Sequence, residues 1–329
     1  MDRVAASSYV YSKASGILSR SFIGKRANAL FEAKNLSQLW TTVFTDELPL
    51  IPENLLADEI EKKSLQSFAD LYKKLVACYD KPEKIYTALL HEYEYSNLKQ
   101  CIASLMNKEE MPNIVDLGVY SRINYQYYPD LQKMTEGSVY AFIDKIPDSS
   151  EYLEICKKLD DMYIAEITQA VSSLSMNERL PVKQLLISML QYKNLIWAVR
   201  LMVFYGMDKE QILPLLSSAT KNLQTDVIAQ TALKVLDLSP DNYQAWKKTD
   251  AEFLLNPCVT EVNWKIDPVW MENVLNTFVT KKAKSMFHQF PFTACVLVCF
   301  FLLKKQELNY IRTVSEGLRL AVDLSAMKV

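Results

Sequence analysis

Glycine is scarce in this chain, and that scarcity limits what it can fold into. Only six of its 329 residues are glycine, whereas average usage is near 7%. β-Rich and α/β proteins of this length need many residues at positive φ for their turns, and glycine supplies most of them. The shortage therefore predicts an all-α fold with short, simple connections.

Hydrophobic periodicity supports the same fold class. Residues 152–174 carry one apolar stripe at the 3.6-residue period of a helix, and Asp148 with Glu151 has the spacing of a capping box. Shorter stripes of the same period cover residues 68–79 and 85–105. No useful stretch alternates with the period of two that a strand requires, so we expect helices throughout.

Several helix boundaries are predicted from proline, glycine and N-cap residues. Pro181 suits the first turn of a helix that runs to a stop at Gly206. Ser239-Pro240 and Asp267-Pro268 each pair an N-cap residue with proline at the first helical position. Residues 115–128 contain the least helical pattern, which indicates a connection with a short helix.

Charge and cysteine content exclude several classes of protein. With 37 basic and 39 acidic residues the net charge is −2, which argues against nucleic-acid binding and against a broad basic surface for anionic lipid. The six cysteines form no CxxC motif, and most lie among apolar residues. We expect reduced thiols in a cytosolic protein.

No segment has the pattern of a membrane span or a secretory signal. The longest apolar run, Pro291 to Leu303, has thirteen residues and is followed by Lys304-Lys305, whereas a spanning helix needs about 20. It is interpreted as a buried core helix. The first eight residues lack the apolar stretch of a signal peptide, so we expect any action at a membrane to take place outside the bilayer.

The residues typical of catalysis are sparse. His91 and His288 are far apart and belong to no zinc motif, and the glycines never form a phosphate-binding loop. Asp160-Asp161 is interpreted as solvated helix surface. We therefore predict no catalytic, cofactor-binding or metal-binding residues, and no cofactor.

Two other classes of helical protein are less consistent with the sequence. An α-solenoid scaffold would require a regular period of about 34 to 47 residues, which is not found. An enzyme acting on isoprenoids would require an aspartate-rich DDxxD motif, and Asp160-Asp161 lacks the distal aspartate.

A weak internal repeat is visible within the helical pattern. Three helical segments contain an asparagine that follows a polar or acidic residue by three positions. The pairs are Glu94 with Asn97, Gln191 with Asn194, and Gln306 with Asn309. Such side chains face the same side of a helix and can bond each other or a neighbouring element. We predict three related helical units, at residues 1–111, 112–206 and 207–329.

The same segments resemble a known family. Residues 93–99 (YEYSNLK) are similar to the aromatic-acidic-x-x-Asn-Leu-Lys helix of the central-stalk subunit of V-type and A-type rotary ATPases, called C in bacteria and archaea and d in eukaryotes. Asn194-Leu195 with Arg200-Leu201 resembles its second Asn-Leu…Arg helix, residues 302–312 (LLKKQELNYIR) its C-terminal helix, and residues 9–14 (YVYSKA) its opening helix. The resemblance covers residues 9 to 320.

Two positions depart from the family pattern. Ser15-Gly16 stands where the family usually carries an arginine, and Gln191 stands where an acid is common. The order and spacing of all the segments are kept. The chain is thus similar to a divergent bacterial or archaeal member.

The resemblance implies three helical bundles around a pseudo-threefold axis, forming a funnel. Such a subunit seats the rotor shaft of the soluble ATPase sector on the membrane proteolipid ring and couples ATP turnover to proton or sodium transport. It implies a peripheral protein on the cytoplasmic face of the membrane, with the ring and the shaft subunits as partners. No enzyme activity, nucleic-acid partner or homo-oligomer is expected. The alternative is a helical scaffold or adaptor unrelated to rotary ATPases.

Overall fold

The predicted all-α fold is confirmed by a computed structural model, which describes residues 1–258 and 263–324. These residues form α-helices and short 3₁₀ or π turns, and no β-strand occurs among them. The chain divides into two compact units. Met1–Lys145 and the chain from Met286 onward form the first unit, and Ile146–Ser285 form the second.

The first unit contains three long helices and several short ones. Its helices are α1 (Arg3–Leu18), α2 (Asn28–Phe31), α3 (Leu36–Val43), α4 (Glu53–Val76), α5 (Lys84–Met106), α6 (Leu131–Thr135) and, from the end of the chain, α14 (Ala294–Arg319). The segment predicted as a connection, residues 115–128, has only two 3₁₀ turns, Gly118–Tyr120 and Tyr125–Tyr127. That prediction is confirmed.

Helix α14 forms the centre of the first unit. It packs against α1, α4 and α5, and residues 294–303 are all buried. Phe301 lies 5.3 Å from Phe68 and 5.2 Å from Tyr72, measured between ring centroids. Each such side chain contributes about 1.5–3 kcal/mol when it is fully buried. The long apolar run is therefore a core helix, as predicted from its length.

A smaller core lies at the other end of α4 in the same unit. Leu56 and Ile60 of α4 pack with Trp40 of α3 and with Ile311 and Val314 of α14. Trp40 is almost fully buried, and its indole Nε1–H donates to the backbone oxygen of Asp46 at 3.1 Å. This bond attaches the segment after α3 to the core.

The second unit contains the remaining helices. They are α7 (Ser149–Ser172), α8 (Met176–Val182), α9 (Ser188–Tyr205), α10 (Lys209–Ile212), α11 (Gln230–Leu233), α12 (Tyr243–Lys247) and α13 (Pro268–Gln289), the last turn of which belongs to the first unit. Its core surrounds Trp246, which is completely buried. Helix α9 packs against α10 and α11 and supplies much of that core.

Two predicted helix starts in this unit are confirmed. The Asp148 carboxylate accepts from the backbone N–H of Glu151 at 2.9 Å, and the Glu151 carboxylate accepts from the N–H of Asp148 at 3.1 Å. These two bonds are the capping box. Asp267 accepts from the N–H groups of Val269 and Trp270 at the start of α13, where Pro268 is the first residue.

The predicted helix start at Pro181 is wrong. The helix begins five residues earlier, at Met176. Pro181 then lies inside α8, where it has no N–H to donate to the preceding turn. A π-helical turn, Lys183–Ile187, follows directly, and such turns accommodate a break in the hydrogen-bond ladder. The predicted end is correct, because Gly206 caps α9 with a φ of 63°.

The predicted helix start at Ser239-Pro240 is also wrong. The N–H of Asn242 donates to the oxygen of Ser239 at 3.2 Å, so Pro240 occupies the second position of a turn that favours proline. The helix α12 begins later, at Tyr243, with Asn242 as its N-cap. A turn and a helix start use the same dipeptide, which explains the error.

In the two described ranges, no helix combines the length and the apolar character that crossing a bilayer requires.

Candidate functional site

The first predicted asparagine, Asn97, fastens the connection after α5. Its Nδ2–H donates to the oxygen of Val115 at 2.8 Å, and its Oδ1 accepts from the N–H of Val115 at 2.9 Å. Asn97 is only 1% exposed. The two bonds satisfy both the N–H and the carbonyl oxygen of Val115, as a neighbouring β-strand would do.

A second amide side chain binds the next residue of the same connection. Gln66 of α4 accepts from the N–H of Asp116 at 2.8 Å and donates to its oxygen at 3.1 Å. Lys73 Nζ donates to that same oxygen at 2.7 Å. Residues 115 and 116 are therefore held between α4 and α5. We call this arrangement the first clamp, formed by Gln66 and Asn97 on Val115 and Asp116.

An ion pair fixes the connection a few residues further on. Glu94, three residues before Asn97, is completely buried. Its carboxylate accepts from the N–H of Arg122 at 2.5 Å and from Arg122 Nε at 2.6 Å. The Tyr140 hydroxyl donates to it at 2.9 Å. This charge is thus paired and hydrogen-bonded, as a buried carboxylate must be.

Two aromatic rings complete the surroundings of Arg122. Its guanidinium lies 5.1 Å from the ring centroid of Tyr140 and 5.6 Å from that of Tyr95. Burial raises the pKa of Tyr140, and the nearby Glu94 carboxylate raises it further. The hydroxyl therefore stays protonated and remains a hydrogen-bond donor to Glu94.

The second unit repeats the clamp on its own connection. Asn194 Nδ2–H donates to the oxygen of Ser217 at 2.9 Å, and its Oδ1 accepts from the N–H of Ser217 at 2.9 Å. The Asp161 carboxylate of α7 accepts from the N–H of the next residue, Ser218, at 2.9 Å. We call this the second clamp. An asparagine on the later helix and a polar side chain on the earlier helix again bind two consecutive residues.

Other buried polar side chains order the rest of this connection. Gln191, three residues before Asn194, donates to the oxygen of Val227 at 2.7 Å. Asp226 is completely buried. Its carboxylate accepts from the backbone N–H groups of residues 219, 220, 228 and 229. One side chain therefore closes the loop that follows the clamp.

The third predicted asparagine has a different environment. Asn309 is exposed, whereas Asn97 and Asn194 are buried. Glu307, two residues before Asn309 on α14, is buried and accepts from the N–H of Phe22 at 2.7 Å. It also pairs with Lys304. On this helix a carboxylate, one residue from the predicted pair, bonds the segment after α1.

The other polar residues singled out from the sequence have structural partners. His91 is buried, and its Nε2 lies 3.2 Å from the oxygen of Tyr120. His288, near the end of α13, lies 3.1 Å from the Tyr11 hydroxyl. Asp160 is exposed as expected, but Asp161 is half-buried in the second clamp and pairs with Lys157.

The part of the chain that the structure describes contains no group of three or more His, Cys, Asp or Glu side chains placed to hold a metal ion. A cavity of about 340 Å³ opens in the first unit. Its charged lining residues form two ion pairs, Lys63 with Asp46 and Lys304 with Glu307. The paired charges give this cavity no net charge with which to attract an ion.

The sequence motifs identified only one side of each clamp. Gln66 and Asp161 lie in helices with no repeat signal of their own, and the residues they bind are recognised through backbone groups. A backbone partner leaves no trace in residue type. The one usable signal is the spacing, since Gln66 precedes Asn97 by 31 residues and Asp161 precedes Asn194 by 33.

Comparison with known proteins places these observations in a family. The family model described as ATP synthase (C/AC39) subunit matches residues 12–328. The chain is also 26% identical over 322 residues to an uncharacterized protein of Treponema pallidum (strain Nichols), covering 96% of this chain and 93% of the relative. The match includes the four helices that carry the clamp side chains and the core helix α14. The chain therefore belongs to the ATP synthase C/AC39 subunit family.

Proposed function

We propose that this protein is the non-catalytic central-stalk subunit of a V-type or A-type rotary ATPase. In this role it joins the rotating shaft of the soluble sector to the proteolipid ring and so couples ATP turnover to proton or sodium movement. The family match over nearly the whole chain is the observation that carries the proposal. The proposed partners are the ring and the shaft subunits, on the cytoplasmic face of the membrane.

The clamps support a role in transmitting torque. A coupling element must not yield when load is applied, and close-packed helices with satisfied buried polar groups resist deformation. The connections that leave α5 and α9 would otherwise be the most compliant parts of each unit. Asn97 and Asn194 fix them by paired hydrogen bonds, which suits a stiff spacer.

The three-part division remains part of the proposal. We propose three related helical units, at residues 1–111, 112–206 and 207–329, arranged as a funnel around a pseudo-threefold axis. The two clamps support a common origin for residues 1–111 and 112–206, because each range supplies the side chains of one clamp. In residues 207–329 the corresponding contact is the hydrogen bond that Glu307 accepts from the backbone N–H of Phe22.

The proposal is tested with the tagged full chain in detergent-solubilised membranes of its own organism. We expect affinity purification to recover the proteolipid ring and the shaft subunits together. A well-folded protein that recovers neither of them contradicts the proposal and favours the unrelated helical scaffold. Circular dichroism of the purified chain, with strong helical bands, serves as the folding control.

A functional experiment separates coupling from mere attachment. Deletion of the chain should leave ATP hydrolysis by the soluble sector but abolish ATP-driven ion uptake in inverted membrane vesicles. Expression of the wild-type chain should restore uptake. Ion uptake that persists without the chain would rule out the coupling role.

A further inference from the structure

The segment between α3 and α4, together with the first turn of α4, exposes apolar side chains at four nearby positions. We call residues 45–55 the apolar loop. Leu48, Leu50, Ile51 and Leu55 are all exposed, and Leu50 is fully so, at 105%. Isolated exposed hydrophobic residues are ordinary on protein surfaces, but several close together indicate an interaction site.

The base of this loop is firmly attached to the first unit. The Trp40 indole donates to the oxygen of Asp46 at 3.1 Å. Lys63 pairs with the Asp46 carboxylate and lies 4.6 Å from the ring centroid of Trp40 and 5.0 Å from that of Phe44. The loop therefore leaves the core in one defined direction.

The tip of the loop is restricted as well. Pro49 and Pro52 flank Leu50 and Ile51, and proline fixes the backbone φ near −65°. The N–H of Ile51 donates to the oxygen of Pro49 at 3.0 Å. A restricted loop loses little conformational freedom when it binds, which favours recognition by a partner.

The charged residues in the sequence around the apolar side chains are all acidic. Residues 46–61 contain six acidic residues and no basic one. Lys63 and Arg312 pair with Asp46 and Glu61 at the base. Glu47 and Glu53 are exposed and lie one residue from Leu48 and two residues from Ile51 in the chain. A partner that covers this tip must accommodate carboxylates at its rim.

We propose that the apolar loop docks into an apolar pocket of another protein, rimmed by lysine or arginine side chains. A membrane surface fits poorly, because the carboxylates would be repelled by an anionic leaflet. Pairing with the same loop of a second copy fits poorly too, because like charges would face each other. This proposal concerns one surface of the chain and stands whether or not the chain couples a rotary ATPase.

The test uses a photo-crosslinking residue in the full chain within its own cells. p-Benzoylphenylalanine replaces Ile51, and mass spectrometry identifies the crosslinked peptide after irradiation. We expect an adduct with a protein segment that contains lysine or arginine. The same probe at Val119, which is 94% exposed in the same unit, should not form this adduct.

Charge reversal makes the experiment specific. The pair Glu47→Lys and Glu53→Lys should reduce the adduct at Ile51 roughly five-fold or more, because rim charges govern association. The matched pair Glu109→Lys and Glu110→Lys, at exposed positions of the same unit, should leave the yield unchanged.

Four results overturn the proposal: an adduct with lipid, an adduct with a second copy of the chain, an adduct that charge reversal does not reduce, or no adduct. Purification of the ring and shaft by the wild-type chain is measured separately. If the crosslink fails but the ring and shaft are recovered, only the docking proposal is refuted. If the crosslink forms but the ring and shaft are not recovered, only the proposed function is refuted.

Discussion

Asn97 binds Val115 through both the N–H and the oxygen of that residue, across 18 positions of sequence. One side-chain amide thereby does for the connection what a neighbouring strand does in a sheet. The donor and the acceptor are both needed, since a buried backbone group without a partner costs free energy. Replacing the Asn97 amide by a side chain that can only accept therefore tests this contact.

Asn97→Asp should lower the free energy of unfolding by about 3 kcal/mol. Aspartate keeps the shape and the acceptor for the Val115 N–H, but it loses the donor to the Val115 oxygen and places a charge in a buried site. Urea denaturation followed by circular dichroism measures the change. Asn309→Asp, the same substitution at an exposed position, should stay within about 0.5 kcal/mol. Equal effects at the two positions would contradict the clamp.

Glu94→Gln should lower the free energy of unfolding by about 2–4 kcal/mol. The amide keeps the size of the side chain, but Arg122 loses its opposite charge, and one of the two oxygens that accept from Arg122 becomes a donor. Urea denaturation measures this change, and Glu109→Gln at an exposed position is the control. A loss below about 0.5 kcal/mol would mean that the buried ion pair contributes no net stability.

Asp161→Ala should loosen the second clamp locally. The N–H of Ser218 loses its acceptor, so its hydrogen exchange should accelerate roughly five-fold or more. Hydrogen exchange with mass spectrometry of the peptide that covers residues 216–219 measures this. Glu154→Ala, at an exposed position of the same helix, should leave that peptide unaffected. Unchanged exchange in Asp161→Ala would show that the carboxylate does not hold this backbone.

Cys101 should resist alkylation while Cys78 reacts. Burial raises the pKa of the Cys101 thiol from 9.0 to about 11, so thiolate at pH 8 is about 100-fold less abundant than at an ordinary thiol. Cys78 is only partly buried. Mass spectrometry after brief treatment with iodoacetamide distinguishes the two sites. Equal labelling in the folded protein would contradict the buried position of Cys101.

The same pKa shift predicts a loss of stability at alkaline pH. Below pH 9.0 both states carry the neutral thiol, so Cys101 contributes no pH dependence. Between pH 9.0 and about 11 the unfolded state releases its proton while the folded state retains it. Unfolding therefore becomes easier as pH rises, and Cys101→Ala should make the urea midpoint fall less steeply across this window. An unchanged slope would contradict the raised pKa.

Helix type and the main helix positions are predictable from this sequence, because the signals are local. Glycine scarcity and the 3.6-residue stripes depend only on neighbouring residues, and so does the capping box of Asp148 and Glu151. The wrong helix starts at Pro181 and Pro240 also come from local signals, but proline occurs in more than one kind of local structure. Proline is tolerated in a turn and within a helix that widens after it.

The clamps were only half predictable, for a physical reason. Asparagine at a helical position is conspicuous, and its role as a structural polar residue follows from the difficulty of burying an unpaired amide. Its partner is a peptide group, which every residue carries. Asn309 follows a polar residue by three positions, as Asn97 does, but it is exposed to solvent. Only the packing of α14 determines that Glu307 is buried instead.

Each clamp grips its connection at a point well inside a helix, because Asn97 and Asn194 both lie several residues from the ends of α5 and α9. A pull on either connection is therefore carried into the middle of a long helix and not to its end. Hydrogen bonds loaded in parallel must break together, in shear, whereas a strand pulled from a frayed end peels one bond at a time. Val115 and Ser217 are therefore released only when both bonds of their asparagine fail at once.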